Sequence, residues 1–222
     1  SLPRLLRGMA LTVELLAVAL ALGLMIALPL ALMGRARSPW LKAPAIAYIF
    51  FFRGTPLLVQ IFLIYYGSGQ FRELFESLGL WVVLREAYWC AILAFALNTA
   101  AYTAEILRGA IGAVPRGEVE AGRALGLGTL ALYRLIILPR AVRLALPAYG
   151  NEVVLMMKGS ALASTIALVD LMGAAKSVYS RTFALEVYGY AAVLYLVLAF
   201  AMGFAVRRLE RYLSPEYEAG RR

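Results

Sequence analysis

Five stretches of the chain are each long and apolar enough to cross a lipid bilayer: residues 10–33, 43–66, 87–107, 144–169 and 187–206. A helix needs about 20 apolar residues for that, whereas a barrel strand needs about ten of alternating polarity. Leu, Ala and Val dominate these runs, which do not alternate. Inside lipid every backbone N–H and C=O needs a partner within the chain, and a helix supplies one locally. The expected fold is therefore an all-α membrane protein with five transmembrane helices. At 63% hydrophobic and 16% charged, the composition lies outside the range of soluble domains, which run nearer half and a quarter. The 222 residues form one transmembrane domain, 1–222, without room for a sizeable soluble one. The run from Met9 to Met33 is too long for a signal-peptide core, and Leu-Met-Gly-Arg after it is a poor cleavage site. It reads as a retained span.

The net charge of +9 needs no nucleic acid to explain it. Lys and Arg concentrate on the cytoplasmic side of membrane proteins. Loop 34–42, segment 108–143 and the tail carry fourteen cationic residues, and the opposite connections carry six. That asymmetry predicts an N-terminus outside and a C-terminus in the cytoplasm. Arg4 and Arg7 run against it, and an amphipathic N-terminal segment on the outer surface would accommodate them. The chain has no histidine, and its one cysteine, Cys90, lies in an apolar run. Neither a disulfide framework nor a metal cluster follows. An intramembrane enzyme would need a Ser or Asp mechanism, yet there is no G-x-S-x-G and no aspartate pair.

Two places break the apolar pattern. "FFRGTPLLVQ" brings Arg53, Gly54, Thr55 and Pro56 together inside the second run. Proline removes a helix hydrogen bond and disfavours helix at the residue before it. Either the helix breaks there, or residues 40–52 lie along the interface and the span starts near Thr55. The second place is "EAGRALGLGTLALYRLIILP", residues 120–139, which sets charges and glycines between two apolar segments. Residues 117–125 are expected to be helical, with Gly126 at the helix end, Thr129 as N-cap of a second helix and Pro139 limiting it. The product is a helix, a tight turn and a helix at the cytoplasmic face. An amphipathic interfacial hairpin is one reading of it.

The spacing is more specific than that. Glu120-Ala121-Gly122, then Gly126, then Ile136-x-Leu138-Pro139 resembles the "EAA" signature of permease subunits of ATP-binding-cassette (ABC) importers, with Gly122 in place of an alanine. "FFRGTPLLVQIFLIYYG" (51–67), "LNTAAYTAEILRGAI" (97–111) and "LPAYGNEVVLMMKGSALAST" (146–165) resemble the polar amino acid permeases, in the branch for histidine, lysine, arginine, ornithine or opines. The likeness runs over nearly the whole chain. It implies the type I ABC importer permease fold, with segment 116–139 holding a coupling helix that docks into a cytoplasmic ATPase. Glu120, Ala121, Gly122, Arg123 and Gly126 would make that docking surface, the small residues permitting close approach. The resemblance further implies a dimer of ATPase subunits that binds ATP and Mg, a second permease subunit alike or identical, and a periplasmic or lipid-anchored amino acid binding protein. The chain itself lacks G-x-x-x-x-G-K-[ST] and is expected to hold no cofactor and to perform no hydrolysis.

Polar residues within the spans are the candidates for contact with cargo. Glu152 lies about eight residues inside the fourth run. It could pair with Lys158, but a spacing of six sets the two on different helix faces. With the family resemblance, it reads as the partner of a substrate ammonium or guanidinium. Asn98, Tyr102 and Glu105 recur at i, i+4 and i+7 and share a face of the third span. They could form interhelical hydrogen bonds or line a translocation path, with Glu105 suited to pair with Arg108. Met156 sits one turn from Glu152 and Ser160 two turns away; each could touch an aliphatic cationic side chain or simply pack. Glu14 and Arg53 receive no transport role. The expected activity is import of a cationic amino acid across the bacterial inner membrane. The alternatives are a neutral, glutamine-type permease and a transporter or channel that works without an ATPase.

Overall fold

The computed structural model describes residues 2–213, and no strand occurs among them. Arg221 and Arg222 of the basic tail lie outside the described residues. The first helix, α1 (Leu2–Met33), is followed by α2 (Pro39–Gly54), α3 (Leu57–Gln70) and two short external pieces, α4 (Arg72–Ser77) and α5 (Trp81–Leu84). Then come α6 (Ala87–Gly112), α7 (Arg116–Ala124) and α8 (Thr129–Leu132). A π turn (Tyr133–Ile137) leads into α9 (Leu138–Gly159), and a 3-10 turn (Ser160–Thr165) ends it. The chain closes with α10 (Leu171–Thr182) and α11 (Glu186–Leu213).

Small residues bring the helices together. Gly8, Thr12, Ala19, Gly23, Ala27 and Ala31 form a buried stripe down α1, spaced by four or seven residues. Lipid tails are as apolar as leucine, so close backbone approach replaces hydrophobic exclusion as the source of cohesion between membrane helices. Gly23 lies against Thr99 and Ala96 of α6, where a β-carbon would collide. The two helices run parallel. Glu14 meets Tyr88 near one end, and Arg35 donates to the Arg108 carbonyl at the other, 3.4 Å away. Loop 34–42 and the start of segment 108–143 therefore share one end of the bundle. Helix α9 returns alongside α6, and α11 packs on α9, with Gly150 against Val206.

At the opposite end α10 is pinned to α1. Asp170 is fully buried and caps α10, accepting from Gly173 N at 2.9 Å and Met172 N at 3.4 Å. The Leu171 N–H donates to the Thr12 hydroxyl (3.1 Å), which in turn donates to the Gly8 carbonyl (3.1 Å).

The five expected runs do not become five continuous helices. Among the described residues three are long and apolar enough to cross a membrane by themselves: α1, α6 and α11. The second run, 43–66, is two helices that meet at 102° across Thr55–Pro56. Pro56 cannot donate, and both Thr55 (ψ 144°) and Pro56 (ψ 135°) are extended. Counted as one bent span, the pair makes a fourth. The fourth run, 144–169, also falls short. Helix α9 stops at Gly159, and its charged residues, Arg140, Arg143, Glu152 and Lys158, dilute its hydropathy.

Candidate functional site

Two features define the site: a hairpin at the cationic end of the bundle and a polar cluster deep between α2–α3, α6 and α9. In the hairpin, α7 begins one residue before expectation and ends in a Schellman turn. The Leu127 N–H reaches the Gly122 carbonyl (3.1 Å) and the Gly126 N–H reaches Arg123 (2.9 Å). Gly126 takes φ +76°, the left-handed region that glycine enters without a side-chain clash. Thr129 is not the N-cap. Gly128 holds the extended cap position (ψ 163°), so Thr129 is already helical and its hydroxyl caps nothing.

Pro139 does not end the second helix either. The chain stays helical from Thr129 to Gly159, passing the proline through the π turn. There the Leu138 N–H bonds the Tyr133 carbonyl, five residues back. Pro139, with no N–H to offer, falls in the first turn of α9, where a missing donor is tolerated.

Glu120, Ala121, Arg123 and Gly126 are exposed, whereas Gly122 is buried. A β-carbon on Gly122 would stand 2.5 Å from Ile136 Cδ1 and 2.7 Å from Leu132 Cδ1. The two arms of the hairpin close over Gly122. The outward apolar groups are instead Leu125 (81% exposed) and Leu130 (83%). Glu118 pairs with Arg140 across the base at 3.4 Å.

In the polar cluster Glu152 is 5% exposed and accepts one hydrogen bond, from the Thr99 hydroxyl at 3.1 Å. It forms no ion pair among the described residues, so Lys158 is not its partner; that side chain is exposed. A carboxylate has about four acceptor positions, so most of this one's capacity is unused. Asn98 looks the other way. Its Nδ2 donates to Gln60 Oε1 (3.0 Å) and the Phe52 carbonyl (3.3 Å). Gln60, 3% exposed, donates to the Phe52 carbonyl (2.9 Å), the Thr55 carbonyl (3.1 Å) and the Thr55 hydroxyl (2.8 Å). These amides restore the hydrogen bonds that the helix break removes, as buried polar backbone in a membrane demands.

Tyr102 is half-buried, with the Arg53 guanidinium 5.3 Å from its ring centre. Glu105 and Arg108 form the expected pair, with contacts of 2.6 and 2.7 Å. Met156 (3% exposed) belongs to the main apolar cluster. Ser160 is fully buried and its hydroxyl donates to the Met157 carbonyl at 2.7 Å, fixing the turn that ends α9. Glu14 of α1 accepts from Tyr88 of α6 at 2.7 Å. Glu152 of α9 thus meets α6 at Thr99, Asn98 turns to the α2–α3 break and Tyr102 to Arg53, while Met156 and Ser160 sit in the packing. Thr99 and Gln60 went unmarked in the sequence. A lone glutamine one turn after a proline is the one signal for Gln60.

Residues 15–217 match the family described as the binding-protein-dependent transport system inner membrane component. The nopaline transport system permease protein of Agrobacterium fabrum is 46% identical over 99% of this chain and 91% of its own length. The histidine/lysine/arginine/ornithine transport system permease protein of Escherichia coli K12 is 40% identical over 92% of this chain and 86% of its own. Among solved structures, an amino acid ABC transporter crystallised with histidines superposes with a TM-score of 0.84 at 36% identity, covering 95% of this chain and 94% of that one.

Proposed function

Because this chain belongs to the family of binding-protein-dependent transport system inner membrane components, we propose that it is the membrane subunit of an ATP-driven importer of cationic amino acids. Relatives named for arginine-type and opine cargoes support the substrate class. The carrying observation within the site is Glu152. A buried carboxylate with one hydroxyl donor is costly unless a cation completes it. A substrate guanidinium or ammonium supplies that cation, and the incomplete pairing keeps the site weak enough to release what it binds.

In this reading the chain crosses the bacterial inner membrane five times, through α1, the bent α2–α3 pair, α6, α9 and α11. The N-terminus is outside and the basic end in the cytoplasm. Helix α7 docks into an ATPase dimer that holds ATP and Mg, while a second permease subunit and an external binding protein complete the assembly. Closure of the ATPases moves α7, and the unbroken helical run from Thr129 carries that motion to Glu152. Asn98 acts by holding the helix break in place beside the path, and Tyr102 lines it.

The test is ATP-driven uptake into proteoliposomes containing this subunit, its ATPase and its binding protein, with labelled arginine, histidine and glutamine in competition. Arginine or histidine should dominate. Glu152→Gln should lower their uptake by at least about tenfold, since stranding one partner of a buried charge pair costs several kcal/mol. Equal uptake of glutamine, or normal arginine uptake by the variant, would make Glu152 structural and leave specificity to the binding protein. Uptake without the ATPase would favour a secondary transporter.

A further inference from the structure

The helix break leaves one group that the transport reading does not use. Arg53 lies in the last turn of α2, at the depth of the α6 residues Asn98 to Tyr102. Its contact with the chain is the face of the Tyr102 ring, and among the described residues it makes no hydrogen bond or ion pair. Its charge reaches Glu105 and Glu152 only at longer range. Both Glu105 oxygens bond Arg108, and no ion pair joins that carboxylate to Arg53. An arginine within a membrane span is costly and is kept for a partner charge or a polar path. Its five N–H donors form a rigid fork that fits a carboxylate or a phosphate.

The position of Arg53 relative to Glu152 narrows the choice. Glu152 is held by Thr99, and Arg53 rests on Tyr102. Residues three apart are neighbours on a helix surface, separated by about 4.5 Å along its axis. A carboxylate and an incompletely paired guanidinium thus flank one turn of α6. An amino acid with a basic side chain carries the complementary pair, a cation at one end and a carboxylate at the other.

We propose that Arg53 binds the α-carboxylate of the transported amino acid while Glu152 holds its cationic side chain, an assignment that rests on the transport reading above. Arg53 lies on the Tyr102 ring, and with cargo bound its fork turns to the carboxylate. The paired charges select a zwitterionic amino acid over an amine of the same shape. A lipid phosphate offers Arg53 the same anionic chemistry, and the experiment separates the two.

Equilibrium binding of labelled L-arginine and of agmatine, which is arginine without its carboxylate, is measured on the assembled permease–ATPase complex in detergent without binding protein. Wild type should prefer arginine by about tenfold or more, the worth of one charge-assisted hydrogen bond. Arg53→Met should bind the two alike, at the wild-type affinity for agmatine. Arg53→Lys, which keeps the charge and loses the fork, should show an intermediate preference, and it serves alone if the methionine variant fails to assemble. An unchanged arginine preference in these variants overturns the proposal, and a simultaneous fall in phospholipid retained by the complex would assign Arg53 to a headgroup. If Glu152→Gln meanwhile loses both ligands, the transport reading survives that failure. If wild type binds neither compound, or Glu152→Gln binds both normally, the substrate site at Glu152 falls and this proposal with it, while the transport reading is decided by the uptake assay.

Discussion

Gln60→Leu should destabilise the fold by about 2–3 kcal/mol although it replaces a polar side chain with an apolar one of similar size inside a membrane span. Gln60 Nε2 has two protons for three acceptors, the carbonyls of Phe52 and Thr55 and the Thr55 hydroxyl, and its Oε1 accepts from Asn98. Three hydrogen bonds are effectively lost. Interhelical hydrogen bonds in membranes average about 0.6 kcal/mol, and buried ones in general about 1 kcal/mol. The Thr55 carbonyl is also stranded, which adds to the sum, while better burial of leucine subtracts from it. Asn98→Leu should cost less, about 1–1.5 kcal/mol, because Gln60 still serves the Phe52 carbonyl. The double variant should be less damaging than the two costs added, by the worth of the shared Asn98–Gln60 bond. Unfolding of the purified subunit by SDS titration, followed by circular dichroism, reads all three. Stability of Gln60→Leu within about 0.5 kcal/mol of wild type would refute the latch, and strict additivity would refute the shared bond.

Gly8→Ala should cost about 1–3 kcal/mol in the same titration, because its β-carbon would stand 2.6 Å from the Asp170 carbonyl oxygen and 2.9 Å from Ala174 Cβ, neither of which can swing away. Gly54→Ala, with nothing within 4 Å, is the neutral control. Gly122→Ala should leave stability close to wild type: the atoms in its way end flexible side chains, and alanine returns about 1 kcal/mol of helix propensity. Gly122→Leu should pry the hairpin open and reduce ATPase co-purification. Leu125→Ser with Leu130→Ser should leave the unfolding midpoint unchanged and weaken ATPase co-purification by about thirtyfold, the loss expected from two apolar contacts of about 1 kcal/mol each. Retention at the wild-type level would remove these leucines from the docking surface.

Local chemistry was the legible part of the sequence. Gly126 announced the end of α7, the Arg53–Pro56 cluster announced a discontinuity, and Glu105 announced Arg108, because each signal lies within a few residues of its effect. The apolar runs revealed the long helices but overstated their continuity. Hydropathy averages over Thr55–Pro56 and over residues 160–169, where hydrogen bonding changes without a change in polarity. Contacts between distant segments were not legible. Thr99 looks like any threonine in an apolar helix until Glu152 arrives from α9, and Gln60 until Asn98 arrives from α6. For the same reason the burial of Gly122 was not legible: its neighbours Leu132 and Ile136 come from the other arm of the hairpin.

The π turn at Tyr133–Ile137 sets how much length this chain can gain or lose, and where. From Thr129 to Gly159 the backbone is helical without interruption, so the azimuth of the hairpin is geared to that of Glu152. Removing one residue between them would turn one against the other by about 100° and shorten the rod by about 1.5 Å. Removing a residue from the stretch between α3 and α6 would disturb far less, since α4 and α5 hold no fully buried residue and only Leu84 packs on the main apolar cluster. Insertions and deletions should therefore be absorbed around residues 72–80 and rejected between 129 and 152, a polarity imposed by torsion alone.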